Sequence, residues 1–254
     1  MFHDNLGDRM KGYEAVPKTK LVSRMPVILR IDGKAFHTFT RGFRKPFDEN
    51  LQWAMQKTME YLCKNIQNCV FGYTQSDEIT LVLVDYKKLN TSAFFNNEVQ
   101  KICSIGASMA TMAFNMFFAQ RLFELESDIT QETLGYNKAY RKALQKGAMF
   151  DCRCFNVPKE EVANIIYWRQ LDAIRNSVQM VGQANFSHKS LEGKTCNAIK
   201  EMLKENGLDW ENYPIYCQRG VACYKEENNW VTDFEMPILK EDWNYINQYV
   251  YVGD

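Results

Sequence analysis

The stretch VFGYTQSDEITLVLV, residues 70–84, carries two short runs rich in β-branched and aromatic residues, 70–74 and 79–84, with only Gln75, Ser76, Asp77 and Glu78 between them. So short a connection predicts an antiparallel hairpin with acids at its tip. Upstream, residues 48–64 open on an acidic turn and set Leu51, Met55, Met59 and Leu62 along one side of a helix. Before that helix, VILRI at 27–31 lies between Pro26 and Asp32-Gly33 and predicts a buried strand ending in a turn. Downstream, residues 94–126 are dense in Met, Phe and Ala and predict a long, mostly buried helix, and residues 150–157 predict a fourth strand stopped by Pro158. The order strand, helix, strand, strand, helix, strand is the ferredoxin-like βαββαβ pattern, an α+β fold with one antiparallel sheet and helices on one face.

That sheet forms the palm of many polymerases. Residues 1–158 are therefore read as a polymerase-like palm with a metal and nucleotide site, opened by a helix at 5–14 with Leu6, Met10 and Tyr13 on one side. Residues 159–254 are read as a C-terminal extension packed on the palm. It holds a helix from Glu160 toward Phe186, a helix at 191–206, and a hairpin of 215–224 and 230–236 around residues 225–229.

The 254-residue chain has 31 basic and 31 acidic side chains, so no global positive field draws it to a polyanion, and any nucleic-acid contact must be a local patch. A hydrophobic content of 46% fits a globular chain with its own core rather than a disordered or fibrous one. No apolar run is read as long enough to span a membrane, and the polar, acid-containing start is unlike a leader, so a cytoplasmic location without membrane contact is expected. Eight cysteines form no C-x-x-C pair, and only His3, His37 and His188 could join them, which favours reduced, buried thiols over zinc. There is no G-x-x-x-x-G-K-[ST], no G-x-G-x-x-G and no G-x-S-x-G, so P-loop, Rossmann and serine-hydrolase readings lack their motifs.

Two acids stand out by topology. In a βαββαβ sheet the first and third strands are neighbours, which brings Asp32 at the end of one beside Asp77 at the start of the other. An Asp-Gly after a strand is by itself only a turn, and Ser-Asp-Glu in a hairpin is ordinarily solvated. Together they form a like-charged pair for which a cation is the simplest physical reason. Two carboxylates and the Gly33 carbonyl suit Mg²⁺, and two such ions support phosphoryl chemistry. Arg44 and Lys45, and Lys101 with Ser104 one turn on, are candidates for triphosphate oxygens, although each singly reads as a surface group. His37 reads as a nucleotide contact or a structural histidine. His188, within residues 185–190, reads as part of an RNA-facing or helix-capping turn.

Arg30-Ile31-Asp32-Gly33, Phe36-His37-x-Phe39, Lys45-Pro46-x-Asp48, Ser76-Asp77-Glu78, Phe150-Asp151-x-Arg153 and Trp168-Arg169-Gln170-x-Asp172 resemble, in order and spacing, the tRNA-histidine guanylyltransferase superfamily. The resemblance implies a palm enzyme that adds nucleotides to tRNA 5′ ends in the 3′-to-5′ direction. It implies two Mg²⁺ ions on Asp32, Gly33 and Asp77, which are also the catalytic pair. It implies nucleotide contacts from Gly33, Lys34, Ala35, Phe36, His37, Lys45, Asp48, Ser76, Lys101 and Ser104, with Glu78 supporting the acidic site. RNA contacts are expected from Arg30, Arg153, Arg169, Arg175, Asn176, Ser187, His188 and Lys189, and the partners expected are tRNA, GTP and other nucleoside triphosphates, ATP for 5′ activation, and three further copies in a homotetramer.

The chain departs from eukaryotic members in one block. Ile174-Arg175-Asn176-Ser177 stands where they have His-Ile-Asn-Asn, so the histidine tied to tRNA-histidine selection is Ile174 here. Asn97 and Glu98 also stand where arginines precede the helical lysine. These departures point to the guanylyltransferase-like proteins, which repair 5′-truncated tRNAs by templated addition. A tRNA-histidine guanylyltransferase proper, a palm-type nucleotidyl cyclase or forward polymerase, and a non-catalytic RNA-binding module remain alternatives.

Overall fold

The computed structural model describes residues 5–125 and 134–252, so the predicted helix end at Glu126, and His3, lie outside the described residues. Ten α-helices occur among them: α1 (Asn5–Ala15), α2 (Phe36–Phe39), α3 (Glu49–Asn65), α4 (Val99–Leu125), α5 (Leu134–Lys146), α6 (Lys159–Asn185), α7 (His188–Leu191), α8 (Cys196–Glu205), α9 (Ile215–Arg219) and α10 (Asn244–Val250). The strands are β1 (Val27–Gly33), β2 (Cys69–Gln75), β3 (Glu78–Leu83), β4 (Phe150–Asn156), β5 (Val221–Glu226) and β6 (Asn229–Asp233). They form one sheet in the order β4-β1-β3-β2-β5-β6, antiparallel at every pairing. The first four are the βαββαβ palm read from the sequence, with β1 beside β3.

Strand alternation divides two cores. Val27, Leu29 and Ile31 of β1, with Ile79, Leu81 and Leu83 of β3, pack under α3 and α4 together with Met55, Met59, Ile102 and Phe114. Ile28, Val82 and Phe71 point the other way, onto Val162 and Ile166 of α6 and Ile246 and Val250 of α10. The two palm helices share one face as expected, and the C-terminal segment covers the other. Residue 158 is the N-terminal cap of α6, and the sheet continues past it in the chain, because β5 pairs with β2 through Thr74↔Val221 to Phe71↔Tyr224.

Several boundaries correct the sequence reading. Residues 215–219 are α9 rather than strand: Pro214 caps the helix, and Gly220 (φ 89°) ends it against Tyr73, whose Oη an added Cβ would approach to 2.6 Å. The helix predicted at 191–206 begins at Cys196, because the Thr195 hydroxyl accepts the Ala198 N–H and caps α8 there. Residues 94–97 form a separate 3₁₀ turn with Phe95, Asn96 and Asn97 at positive φ, so α4 starts at Val99. Contrary to expectation, α4 is long and apolar enough by composition to cross a membrane (mean hydropathy 1.5). Its Ile102, Ala110, Phe114 and Phe118 are spent in the sheet core.

Candidate active site

β1 and the β2–β3 turn meet as the topology requires. Asp32 stands opposite Glu78 of β3 and Asp151 of β4. One residue on, the Gly33 N–H donates to the Asp77 carbonyl at 3.0 Å, fastening the end of β1 to the turn. Gly33 must be glycine, since a Cβ there would lie 2.3 Å from the Phe36 ring. That ring is buried against Phe39, Phe114 and Phe150 at centroid distances of 5.0, 5.5 and 5.2 Å and forms the floor of the turn into α2. Ala35 precedes α2 in the left-handed region (φ 55°).

A cleft of about 480 Å³ opens over this junction, lined by Asp32, Gly33, Ala35, Phe36, His37, Lys45, Asp48, Ser76 and Asp77 among the predicted residues. Its size is that of a small-molecule site. Arg44 joins them, and Met180 and Gln183 of α6 close the opposite wall. The last two were missed: nothing in their spacing marks them, and only the folding of α6 across the sheet brings them there. A second cavity of about 70 Å³ adjoins through Asp48, Ser76 and Met180, and Asn176 lines it.

The two acids differ in surroundings. Burial pushes the Asp77 carboxyl above the usual carboxylate range; a hydrogen bond from the Ser76 hydroxyl (2.9 Å) opposes this, and the nearby charge of Asp32 adds to it. Neither acid is in an ion pair among the described residues. Glu78 is different, because its buried carboxylate accepts Arg169 Nε at 2.6 Å, and Arg30 Nε lies 3.9 Å from its other oxygen. Burial still raises Glu78, while Arg169 pulls it down. Glu78 is therefore committed to α6 and supports the acidic site from below rather than lining the cleft.

Asp48 is also a framework group. One oxygen accepts the N–H groups of Asn50 (3.1 Å) and Leu51 (3.0 Å), capping α3; the other accepts Arg44 N–H (3.0 Å) and the Tyr140 hydroxyl (2.6 Å). With both oxygens engaged, it shapes the loop that carries Arg44 and Lys45. His37 is exposed at the rim, its Nε2 hydrogen-bonded to the Thr38 hydroxyl at 3.0 Å.

Three predicted nucleotide contacts do not reach the cleft. Lys101 and Ser104 sit on the first turns of α4, where their neighbours Val99 and Cys103 contact Cys154, whose strand partner is Leu29, three residues before Asp32, and neither lines the cleft. The helix must run on to Phe114 before it meets Phe36. Lys34 donates its backbone N–H to Met149 (2.8 Å) and is exposed outside the lining.

The predicted RNA contacts spread along α6 and its sheet face. Arg30 and Arg153 are cross-strand neighbours on the Asp32 side. Arg169 is buried between Glu78 and Asp172, and exposed Arg175 pairs with Asp172. Ser187 caps the short α7, which carries His188 and Lys189, all exposed and one turn beyond Gln183.

As for metal, no cluster of three His, Cys, Asp or Glu side chains occurs among the described residues. The all-oxygen set of two carboxylates and one carbonyl fits Mg²⁺, which is held by one or two carboxylates and completes its octahedron with water and phosphate. Burial, more than the neighbouring charge of Asp32, raises the Asp77 carboxyl.

The family model for Thg1, tRNAHis guanylyltransferase, matches residues 7–158, more than half of the chain. The chain belongs to the Thg1 family. Thg1 proteins are nucleotidyltransferases that act on tRNA, so the chain is an enzyme of that class with guanylyltransferase-like function. An uncharacterized protein of Acanthamoeba polyphaga mimivirus is 31% identical over 239 residues, 89% of this chain and 79% of its own. The tRNA(His) guanylyltransferase of Candida glabrata is 24% identical over 219 residues, 79% and 82% of the two chains. Among solved structures, a bacterial Thg1-like protein in complex with ATP superposes with a TM-score of 0.84 at 39% identity, covering 98% of this chain and 100% of that one. The Saccharomyces cerevisiae enzyme shares the fold at 20% identity, with a TM-score of 0.66 and 91% and 99% coverage.

Proposed function

We propose that this Thg1-family chain extends the 5′ end of truncated tRNA by templated 3′-to-5′ addition: the 3′-hydroxyl of an incoming nucleoside triphosphate attacks the activated 5′-phosphate, and pyrophosphate or AMP leaves. The observation that carries the reading is the junction of Asp32 and Asp77, joined through Gly33 N–H and opening on one cleft with Lys45, Arg44 and His37. Asp32, Asp77 and the Gly33 carbonyl would hold Mg²⁺. When bound, two such ions lower the pKa of the attacking hydroxyl and neutralise the leaving phosphate. Lys45 and Arg44 offset triphosphate charge on the loop that Asp48 braces, and Ser76 orients Asp77 through its 2.9 Å hydrogen bond. The bacterial Thg1-like protein was solved with ATP, and a GTP complex (TM-score 0.76, 39% identity) is also known, which supports a nucleotide in the equivalent cleft here.

Repair rather than single guanylate addition is favoured by residue 174. Ile174 packs beside Val178 and Trp210 and offers no polar group toward an anticodon or discriminator base. Templating then falls to Watson–Crick pairing with the opposite acceptor strand. Such a chain needs no membrane. Assembly as a homotetramer and a cytoplasmic setting go with this reading.

The test is incubation with labelled GTP, ATP, Mg²⁺ and a tRNA lacking its first 5′ nucleotides. Label at the 5′ end, matched to the template and abolished in Asp32→Ala without loss of the melting transition, is expected. Label only as a single G on full-length tRNA-histidine, at a 3′ end, or in a cyclic nucleotide overturns it.

A further inference from the structure

Trp168 is 49% exposed although Arg169 and Gln170 beside it on α6 are buried. Two guanidinium groups lie near its ring, the Arg169 carbon 4.5 Å and the Arg30 carbon 5.5 Å from the centroid. Arg30 Nε is buried without a hydrogen-bond partner, and its carboxylate neighbour Glu78 stands 3.9 Å away. Across the strand, half-exposed Arg153 pairs with equally exposed Asp151 at 3.6 Å. Arg30 precedes Asp32 by two residues on the same sheet face, so Arg30 and the Trp168 ring over it stand next to Asp32 along β1.

An indole left open to solvent is costly for a core and useful as a stacking surface. Stacking on a π-face suits any base, and adjacent guanidinium groups neutralise the phosphates that come with it. A chain with no net charge must bind RNA through such a local arrangement. We infer that Trp168, with Arg30 and Arg153, forms a ledge on which an unpaired nucleobase of the tRNA acceptor end stacks next to Asp32. The ledge rests on the proposed RNA substrate and adds the contact that holds its unpaired end. Recessed 5′ ends expose an unpaired template base; blunt ends do not.

The test compares a fluorescein-labelled RNA stem with a recessed 5′ end and the same stem made blunt, by anisotropy, with wild type, Trp168→Ala and Trp168→Phe. Trp168→Ala weakens binding of the recessed stem by about 10-fold, Trp168→Phe keeps it within a few fold, and both leave GTP affinity and the blunt stem unchanged. Indole emission of the wild type is quenched by the recessed stem, and Trp168→Phe loses most of that quenching. Equal affinity of wild type and Trp168→Ala, equal loss on both stems, or a change of molecular mass in light scattering, which would mean that Trp168 faces another copy, overturns the ledge. Nucleotide addition is followed on the same samples. Wild type that binds the recessed stem through Trp168 but adds nothing removes the polymerase reading alone, and addition unaffected in Trp168→Ala removes the ledge alone.

Discussion

Asp77 holds its proton more tightly in the folded chain than in the unfolded one, because burial and then the charge of Asp32 disfavour its ionised form more than the Ser76 hydroxyl favours it. The sign follows from linkage. A carboxyl whose folded pKa is raised favours the fold at low pH, and that contribution is lost as pH rises from the unfolded value near ~4 through the folded one. Asp77→Asn should therefore melt at a higher temperature than wild type at pH 7.5 in EDTA, and the two should converge below about pH 4. Adding Mg²⁺ should raise the wild-type midpoint and leave Asp77→Asn nearly unmoved, by mass action on the folded state. Calorimetry in both buffers checks it. Asp32 and Asp77 were legible in the sequence because each sits at a strand end whose neighbours follow from the element order. The commitment of Glu78 was not, because Arg169, its partner, is ninety-one residues away in the chain.

Helix caps and turns decide the next level. Asp48 serves α3, the Arg44–Lys45 loop and α5 at once, through four accepted hydrogen bonds. Tyr140→Phe removes the link to α5 and should cost about 1–2 kcal/mol; Asp48→Ala removes the cap as well and should cost about 2–4 kcal/mol. Both should raise the KM for the incoming nucleotide more than they lower kcat, since they loosen the loop that carries the cations. Urea titration with steady-state kinetics separates the two effects. The motif Lys45-Pro46-x-Asp48 was visible as a pattern, yet spacing cannot say that both carboxylate oxygens are saturated. Residues 215–219 failed for a related reason. Ile215, Tyr216 and Cys217 have strand-like side chains, while Pro214 and Gly220 set backbone angles that bracket one helical turn.

At the scale of the molecule, the central strands β2 and β3 are buried on both faces, while the edge strands β4 and β6 keep exposed positions. The palm's order and its first-face helices were legible from periodicity. The docking of β5 on β2 was not, because nothing in the sequence of β5 marks which palm strand it will pair with. A fragment of residues 1–158 would keep the βαββαβ core yet bare Ile28, Phe71 and Val82 where α6 and α10 lie in the full chain. It should be expanded and bind hydrophobic dye, whereas the full chain gives a cooperative melt; circular dichroism and dye fluorescence test this.

Within that sheet, β3 has a burial pattern without a break: all six side chains from Glu78 to Leu83 are enclosed. Ordinary strands have a solvent side on which replacements pass unnoticed; this one offers no neutral ground. Random substitution there should leave almost no survivors, while the exposed α1 tolerates wide variety, so a saturation library would trace the spine of the protein as a stripe of intolerance beginning one residue after Asp77.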